Sequence, residues 1–329
     1  MRILWIHNFA PEVVSSGVFM YILFDQLRAL GADVTLHYMG NLRSVFGLPR
    51  AIRAVRALSR DFDLVHAQYG SACGVAASFV KVPRLVTLRG TDLMGQEVGN
   101  PLVRAHGLMA QCFTRFAVRR CGHVVVVSQR MREVVLGFCP TAQVHVLPSG
   151  IDLTEFRPMD RMAARRQLGF GDDTSPWVLF SSLHGGSKPI KRFWLARAAF
   201  ADLQTSFPNA QIKFLTGVPH ERVPLWVNAC NVVLLTSTHE GWPNIIKEGL
   251  ACNVPFVSTD VGDLAVIAAA EPNCFVTAPE PGALAECLRL ALQHEGPANL
   301  RRHVEPMELA STARQLLGIY EEVCASAGR

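Results

Sequence analysis

Residues 231–258 of this 329-residue chain, NVVLLTSTHEGWPNIIKEGLACNVPFVS, carry its clearest structural pattern. The first six of them, 231–236, form an apolar, β-branched run, which is typical of a buried strand in a parallel sheet. Residues 244–252 then have helical spacing with Asn244 in the N-cap position, and a second apolar run follows. The stretch is therefore a strand-loop-helix-strand unit, the building block of an α/β fold with parallel strands.

The same alternation continues along the whole chain. Apolar runs predict strands at 3–6, 33–38, 64–67, 85–88, 123–127, 144–147, 177–182, 211–215, 232–236, 255–258 and 274–276. Amphipathic stretches predict helices near 18–30, 49–60, 71–80, 102–120, 129–138, 159–168, 191–205, 221–229, 244–252, 281–294 and 307–325. The pattern is interrupted at 148–158, so we expect two doubly wound, Rossmann-like domains, 1–158 and 159–306, that face a cleft between them.

Composition excludes several classes of protein. Hydrophobic residues make up 50% of the chain and charged residues 18%, which allows a large core and argues against disorder. No apolar run approaches the roughly 20 residues of a membrane span, and the N-terminus has no signal-peptide layout. The nine cysteines are scattered singly with no C-x-x-C pair, which favours reduced thiols over a zinc site or disulfides. We therefore expect a cytoplasmic protein.

Basic residues are concentrated in the first half. Residues 1–165 carry 19 basic and 11 acidic side chains, whereas residues 166–329 carry 13 and 16, so the two halves are expected to meet different partners. Seven arginines in two clusters indicate either a basic face for an anionic membrane surface or a solvated face. They are Arg50, Arg53, Arg56, Arg60, Arg115, Arg119 and Arg120. No nucleic-acid-binding motif accompanies them, so nucleic acid is not an expected partner.

Two carboxylates, Glu240 and Glu248, lie at the ends of EGWPNIIKE. Glu240 follows a predicted strand, and ligands of such sheets bind at the carboxyl ends of strands. The helix start at 243–246 suits an anion, because its N–H groups have no helical partner. This geometry suggests a phosphate on the amides and polyol hydroxyls on the carboxylates. The alternative is an acidic loop before a helix whose glutamate pairs with a neighbour.

A second glycine-containing helix start lies near the N-terminus. Ser16 and Gly17 precede the first predicted helix, and they either let the backbone approach a phosphate or act as a simple N-cap. The chain has no G-x-G-x-x-G fingerprint after its first strand and no Walker loop.

Together these segments resemble the family 4 retaining glycosyltransferases, which have the two-domain GT-B fold. The similarity covers nearly the whole chain and is strongest over 216–263, which contains the E-x7-E signature of a nucleotide-sugar site. The segment ACNVPFVSTDVGD resembles a subgroup that acts on cell-surface polysaccharides. Shorter similarities are DLVHAQYG, VTLRGTDL, VVVVSQRM and LPSGIDLTEFRP.

The resemblance implies an enzyme that moves a sugar from a nucleotide diphosphate sugar, with a UDP-sugar favoured, to a hydroxyl of a saccharide or lipid-linked acceptor. It implies retention of configuration, no cofactor, an acceptor-binding first domain and a donor-binding second domain, with the helix at 307–325 packed on the first. No Asp-x-Asp motif stands at the end of a strand, so no metal is expected. A non-catalytic partner subunit, and an epimerase or phosphorylase of the same fold, remain alternatives.

The resemblance also implies roles for individual residues. Glu240 would face hydroxyls of the donor sugar, Glu248 would bind the ribose diol, and Lys191 would neutralise the diphosphate leaving group together with helix amides. The alternative for Lys191 is a solvated side chain at a helix start. The implied donor-binding residues are Ser16, Gly17, Lys188, Lys191, Gly217, Val218, Glu240, Gly241, Trp242, Pro243, Asn244, Ile245 and Glu248.

Two positions depart from the family pattern. An arginine that usually partners the lysine, about six residues upstream, is Gly185 here, and Lys188 and Arg192 are the candidates to replace it. The family histidine of the HGTD segment is Arg89 here. Arginine cannot act as an acid or base near neutral pH, so Arg89 is expected to bind a phosphate or an anionic acceptor.

Two further residues are expected on the acceptor side. Asp92 follows Arg89 closely, and the alternative is that the two form a structural salt bridge. His66 ends a predicted strand, and the alternative is a histidine whose hydrogen bonds are satisfied inside the protein.

Overall fold

A computed structural model of the chain describes residues 1–9, 17–40, 42, 47–95, 101–181, 189–296 and 299–327. The chain divides into two compact units. The first is Met1–Gly150 with Leu309–Arg329, and the second is Ile151–Glu308. The divisions lie at 150 and 309, whereas the sequence pattern placed domain boundaries at 158 and 306.

Six parallel strands form the sheet of the first unit, in the order β2-β1-β3-β4-β5-β6. They are β1 (Arg2–His7), β2 (Asp33–Tyr38), β3 (Leu64–Ala67), β4 (Arg84–Leu88), β5 (His123–Val126) and β6 (Gln143–Val146). The helices of this unit are α1 (Val18–Ala29), α2 (Gly47–Leu58), α3 (Ser71–Ala77), α4 (Thr91–Met94), α5 (Pro101–Cys121), α6 (Gln129–Phe138) and the last helix of the chain, α13 (Leu309–Ala327). All six predicted strands are confirmed, while the short helix α4 was not predicted.

The last helix is part of the first unit's core. Its residues Leu316 and Tyr320 are buried against strand β1 and helix α1. The indole Nε1 of Trp5 in β1 donates a hydrogen bond of 2.8 Å to Tyr320 Oη. Burial of these apolar side chains stabilises the unit by the hydrophobic effect, and the hydrogen bond satisfies the polar atoms buried with them.

Five parallel strands form the sheet of the second unit, in the order β11-β10-β9-β7-β8. They are β7 (Trp177–Ser181), β8 (Gln211–Leu215), β9 (Val232–Leu235), β10 (Phe256–Thr259) and β11 (Phe275–Thr277). Its helices are α7 (Arg161–Gln167), α8 (Phe193–Gln204), α9 (Val223–Ala229), α10 (Asn244–Ala251), α11 (Leu264–Ala270) and α12 (Pro281–Gln293). The five predicted strands are confirmed, and α11 was not predicted.

The unit at 231–258 has the predicted form. Strands β9 and β10 pair in parallel, with Val233 opposite Phe256, and α10 connects them. The helix stops where Asn253 adopts the left-handed conformation with φ 58°, which asparagine tolerates better than most residues. This connection places the loop after β9 at the carboxyl edge of the sheet, and the chain has the predicted α/β fold with two parallel sheets.

Candidate active site

The loop after β9 brings together two residues that are far apart in sequence. Lys191 Nζ donates a 2.6 Å hydrogen bond to Glu240 Oε1, and Ser237 Oγ donates to the same oxygen at 2.8 Å. The side chains of Lys191 and Glu240 are 22% and 19% exposed, so the ion pair is half-buried but open to solvent. A lysine ammonium and a carboxylate therefore stand together at the carboxyl edge of the second sheet.

Arg192 fixes the backbone on which this pair depends. It has a left-handed backbone with φ 46° just before α8. Its guanidinium donates from Nε to the carbonyl of Thr236 at 2.6 Å and from the terminal nitrogen to the carbonyl of Ser237 at 2.7 Å. The hydroxyl of Thr236 donates in turn to the carbonyl of Lys191 at 2.6 Å. The start of α8 and the end of β9 are thus tied to each other beside Lys191 and Glu240.

A pocket of about 430 Å³ opens at the carboxyl ends of β9, β10 and β11. It is lined by Arg192, Ser237, Thr238, Thr259, Asp260, Val276, Thr277, Ala278 and Pro279. Burial lowers the pKa of Arg192, yet an arginine remains charged at neutral pH. The pocket therefore offers hydroxyl groups, the Arg192 guanidinium and the Asp260 carboxylate at the edge of the sheet where ligands of this fold class bind.

Helix α10 starts differently from the prediction. Its N-cap is Pro243, with φ −71° and ψ 120°, and Asn244 is the exposed first residue of the helix. Asn244 is therefore not the N-cap that the sequence indicated, because proline holds the extended backbone that precedes the helix. The amide of Ile246 donates to the Pro243 carbonyl at 3.2 Å, and proline has no N–H. Within the described chain, the amides of Asn244 and Ile245 are left to bind an anion.

Gly262 packs closely against the backbone that precedes this helix. Gly262, in the turn after β10, has φ 55°, and a Cβ there would lie 2.9 Å from the carbonyl oxygen of Gly241. Trp242 is buried next to Gly241. The backbone before α10 therefore rests on a turn that only glycine permits.

Glu248 lies one turn into α10 and is half-buried. Its pKa is raised to about 7, mainly by burial; Lys247 opposes the rise and the nearby Glu155 adds to it. Glu155 itself faces His220, with 3.8 Å between Oε2 and Nε2. Glu248 is therefore a carboxyl group that changes charge near neutral pH.

Gly217 and Val218 lie between β8 and His220, and Gly217 is exposed with φ 67°.

Gly17 in the first unit is the N-cap of α1. It has φ 75°, and a Cβ at this position would lie 2.7 Å from the ring of Phe9. Only glycine fits here, for reasons of both backbone and space. Ser16, Gly185 and Lys188 lie outside the described residues.

Arg89 is held by three hydrogen bonds and an aromatic ring. Its Nε and one terminal nitrogen donate to the backbone and side-chain oxygens of Gln68, at 3.2 and 3.1 Å, and its other terminal nitrogen donates to Ser149 Oγ at 3.0 Å. The guanidinium stacks 4.2 Å from the centroid of Phe19. Burial lowers the pKa of Arg89 to about 10, and Asp92 opposes the shift, so the side chain stays cationic. Two of its five N–H groups have no acceptor among the described residues.

Two family models match the chain. The model for Glycosyltransferase Family 4 matches residues 8–155, and the model for Glycosyl transferases group 1 matches residues 185–294, so together they span more than three quarters of the chain. The chain belongs to the family 4 glycosyltransferases.

Proteins similar to this glycosyltransferase include TuaC of Bacillus subtilis, named as a teichuronic acid biosynthesis glycosyltransferase. It is 27% identical over 359 residues, which cover 88% of each protein. The solved structure of sucrose-phosphate synthase from Thermosynechococcus elongatus has a TM-score of 0.78 at 18% identity, and covers 99% of this chain and 100% of its own. HepE of Anabaena, solved with UDP and glucose, has a TM-score of 0.72 at 16% identity, with coverages of 98% and 99%. These likenesses establish the GT-B fold.

The acceptor-side residues expected of this glycosyltransferase are both buried inside its first unit. Asp92 accepts hydrogen bonds from the backbone amides of Gly70, Arg89 and Gly90, at 2.8, 3.0 and 2.9 Å. It therefore organises the turn after β4, and among the described residues it forms no ion pair with the Arg89 guanidinium. Asp92 is therefore structural, as the alternative held, but it binds backbone amides and not the Arg89 side chain.

His66 is also satisfied inside the protein. Its Nδ1 lies 2.7 Å from Tyr320 Oη, and its Nε2 lies 2.6 Å from Thr87 Oγ1. Burial, followed by the charge of Arg89, lowers the pKa of His66 well below its ordinary range. The imidazole is therefore neutral, and both of its ring nitrogens are occupied, as the structural alternative for this residue requires.

Proposed function

We propose that this glycosyltransferase transfers a sugar from a nucleotide diphosphate sugar to an acceptor hydroxyl with retention of configuration. The observation that carries the proposal is the Lys191–Glu240 ion pair of 2.6 Å at the carboxyl edge of the second unit's sheet. Glu240 lies in the segment that leads into α10, whose first two amides have no acceptor among the described residues. The related fold of HepE, solved with UDP and glucose, supports a UDP-sugar as the donor.

The ion pair offers a way to exchange partners when the donor binds. The diphosphate would attract Lys191 Nζ away from Glu240, and Glu240 Oε1 would then be free to accept hydrogen bonds from sugar hydroxyls. The amides of Asn244 and Ile245 would hold the distal phosphate. Gly217 and Val218 would contact the base through their backbone, and Glu248 would bind the ribose diol.

The chemical step needs no protein nucleophile. The bond between the anomeric carbon and the phosphate oxygen breaks, and the acceptor oxygen forms the new bond on the same face of the sugar. The acceptor proton passes to the departing phosphate, whose negative charge Lys191 and the helix amides stabilise without a metal ion. Arg89 contributes two unused N–H groups to an anionic group of donor or acceptor, and Gly17 allows a close backbone approach.

The proposed acceptor is a saccharide or a lipid-linked saccharide. The similarity to TuaC, which is named for teichuronic acid biosynthesis, favours a cell-surface polysaccharide. A lipid-linked acceptor would bring the enzyme to a membrane surface, where Arg50, Arg53 and Arg56, all exposed on α2, would meet anionic headgroups. None of the described helices is long and apolar enough to cross a membrane.

Thermal-shift screening followed by product analysis tests the proposal. UDP, GDP, ADP and their sugars are compared, and a ligand at 100 times its dissociation constant should add about 2.7 kcal/mol to stability. The stabilising sugar nucleotide is then incubated with saccharide acceptors, and the anomeric configuration of the product is read by NMR. The absence of nucleotide-dependent stabilisation, or an inverted product, contradicts the proposal.

One observation favours a second candidate, a non-catalytic partner subunit. Arg89 replaces the histidine expected at this position, and most of its guanidinium is used in contacts to Gln68, Ser149 and Phe19. Such a subunit would bind the nucleotide sugar, yet neither transfer nor slowly hydrolyse it. Release of free UDP from UDP-sugar by the purified protein distinguishes the two.

A further inference from the structure

Large apolar side chains are exposed along one helix of the first unit. Leu102 is 81% exposed and Leu108 is 64% exposed, and Met109 and Phe116 are exposed as well. All four lie on α5, whose 21 residues span about 30 Å. We call these four residues the α5 stripe. Leu102, Met109 and Phe116 are seven residues apart and follow one line along the helix, while Leu108 lies about 120° around the helix axis from Leu102. All four therefore lie in the half of the helix that faces away from its buried residues.

The opposite side of α5 explains why the stripe faces outward. Its buried residues are mainly small, and they pack on α3, where a Cβ on Gly74 would lie 2.7 Å from the Cβ of Ala117. The helix is therefore fixed to the unit by close packing of small residues, and the large apolar residues are left in water. Several large apolar side chains exposed on one half of a helix mark a candidate interaction site.

The charge around the stripe identifies the partner. Helix α5 contains no acidic residue, and Arg104, Arg115, Arg119 and Arg120 are exposed on it. Arg120 lies 5.9 Å from the ring centroid of the exposed Phe79, which is 6.1 Å from the ring of Phe116. Arginine beside exposed leucine, methionine and phenylalanine is the composition of a helix that lies in the interface of an anionic bilayer.

The neighbouring helix extends the same surface. Helices α2 and α5 both pack on α3, and α2 carries exposed arginines and no acidic residue. A second copy of the chain would bring the same positive charge to this surface, which disfavours a self-contact. Nucleic acid would use the arginines, but it gains little from exposed leucine and methionine.

We propose that the α5 stripe inserts into the headgroup region of an anionic membrane, with the arginines of α5 and α2 on the lipid phosphates. The helix lies parallel to the membrane plane and does not span it. The proposal rests on the proposed function for its purpose, which is to reach a lipid-linked acceptor, but the binding itself requires no donor sugar.

Flotation with lipid vesicles tests this surface. The wild-type protein should bind vesicles that contain phosphatidylglycerol and bind pure phosphatidylcholine vesicles much less. The variant Leu102→Gln/Leu108→Gln/Met109→Gln should lose about tenfold or more of the binding, because the apolar contribution is removed while the charge stays. Arg104→Gln/Arg120→Gln should weaken binding to the anionic vesicles alone.

A matched control uses exposed apolar residues outside this surface. Val266 is 73% exposed on α11, and Leu290 is exposed on α12; Val266→Gln/Leu290→Gln should bind vesicles like the wild type. Circular dichroism and melting temperature confirm that each variant is folded. If the α5 stripe variant binds anionic vesicles as well as the wild type, or if the stripe instead mediates a concentration-dependent dimer seen by light scattering, the proposal is wrong.

The two proposals fail separately. Vesicle binding is measured without a donor, and nucleotide binding is measured without lipid. The α5 stripe variant should keep the full thermal shift with the nucleotide that stabilises the wild type. Lost vesicle binding with an intact nucleotide shift supports the membrane surface, whereas a wild type without any nucleotide shift overturns the proposed function and leaves the vesicle result standing.

Discussion

Glu248 has an environment and a proposed task that oppose each other. Its pKa of about 7 leaves it partly protonated near neutral pH, whereas a ribose diol needs the ionised acceptor. We expect UDP-glucose, whose phosphates do not titrate in this range, to bind more tightly as the pH rises from about 6 to 8. Glu248→Gln should remove this dependence and weaken binding by about 1.5–3 kcal/mol. Titration calorimetry measures both effects, and a wild-type affinity that does not change with pH would exclude the ribose assignment.

The same pKa shift affects folding stability. The folded-state pKa of Glu248 lies above the ordinary value of 4.5, so the folded protein holds this proton more tightly than the unfolded chain does. Stability from the protonated carboxyl is therefore fully present below pH 4.5 and is lost as the pH rises to about 7. Glu248→Gln should raise the melting temperature at pH 8 and leave it nearly unchanged at pH 4.5, which serves as the control.

Arg192 combines backbone strain with two anchoring hydrogen bonds. A non-glycine residue at φ 46° costs about 1–2 kcal/mol, and the guanidinium compensates by holding the carbonyls of Thr236 and Ser237. Both Arg192→Ala and Arg192→Gly lose the two hydrogen bonds. Only the glycine variant also relieves the backbone strain. We expect the free energy of unfolding of the alanine variant to be about 1 kcal/mol lower than that of the glycine variant. Urea unfolding compares the two, and equal stabilities would show that the left-handed backbone is not strained.

Arg89 is expected to contribute both to the fold and to ligand binding. Arg89→Ala removes three hydrogen bonds and the contact with Phe19, so the melting temperature should fall by several degrees, at about 1 kcal/mol for each bond. Turnover measured well below that temperature should fall about a hundredfold if its two remaining N–H groups bind an anion. Normal turnover of the folded variant would show that Arg89 is purely structural.

At the scale of elements, the sequence predicts strands better than helix starts. The inner strands of both sheets are visible as apolar runs because they are buried on both faces. The edge strands β2, β6, β8 and β11 are partly exposed and were recognised from shorter or alternating apolar patterns. Helix α4 has only four residues, too few for a periodic pattern to emerge. Helix α11, LAVIAAA, is apolar throughout and therefore has no polar face that would mark it as amphipathic. The N-cap at Pro243 was missed because asparagine is the commoner capping residue, whereas the extended proline is set by the tight turn at Gly262.

The site shows the same division between local and tertiary signals. Glu240 and Glu248 could be chosen from sequence because they lie in a recognisable strand-loop-helix segment, and Lys191 because the segment KPIKRFWLA resembles the family pattern. The contact between Lys191 and Glu240 and the anchoring role of Arg192 depend on residues 44 or more positions apart, and the raised pKa of Glu248 depends mainly on its burial. No local pattern predicts such contacts.

Tyr320 of helix α13 holds buried hydrogen bonds that can be tested by substitution. Tyr320 Oη links Trp5 Nε1 and His66 Nδ1 in the buried core. Tyr320→Phe leaves both nitrogens without this partner, which should cost about 1–3 kcal/mol and lower the melting temperature by a few degrees. Affinity for UDP should not change, because the residues proposed to bind its ribose and distal phosphate, Glu248, Lys191 and the amides that begin α10, belong to the other unit. A weaker nucleotide affinity in the variant would show that this core is coupled to the donor site.

At the scale of the whole molecule, the two units differ in charge as well as in sequence. The exposed arginines of α2 and α5 lie in the first unit, while the Lys191–Glu240 pair and the amides of α10 lie in the second. The excess of basic residues in the first half of the sequence was therefore an early sign of this difference. That the arginines flank an exposed apolar stripe follows from the packing of the helices and could not be predicted from the sequence.

The last prediction concerns how the whole enzyme neutralises its leaving group. A departing nucleotide diphosphate carries its charge into a site where Lys191 and two helix amides are the proposed partners, so no divalent cation should be required. Transfer activity should persist in excess EDTA. Lys191→Ala should reduce turnover about a hundredfold, and added magnesium should not restore it. Complete loss of wild-type activity in EDTA, with recovery on addition of magnesium or manganese, would mean that a metal ion performs the task assigned to Lys191.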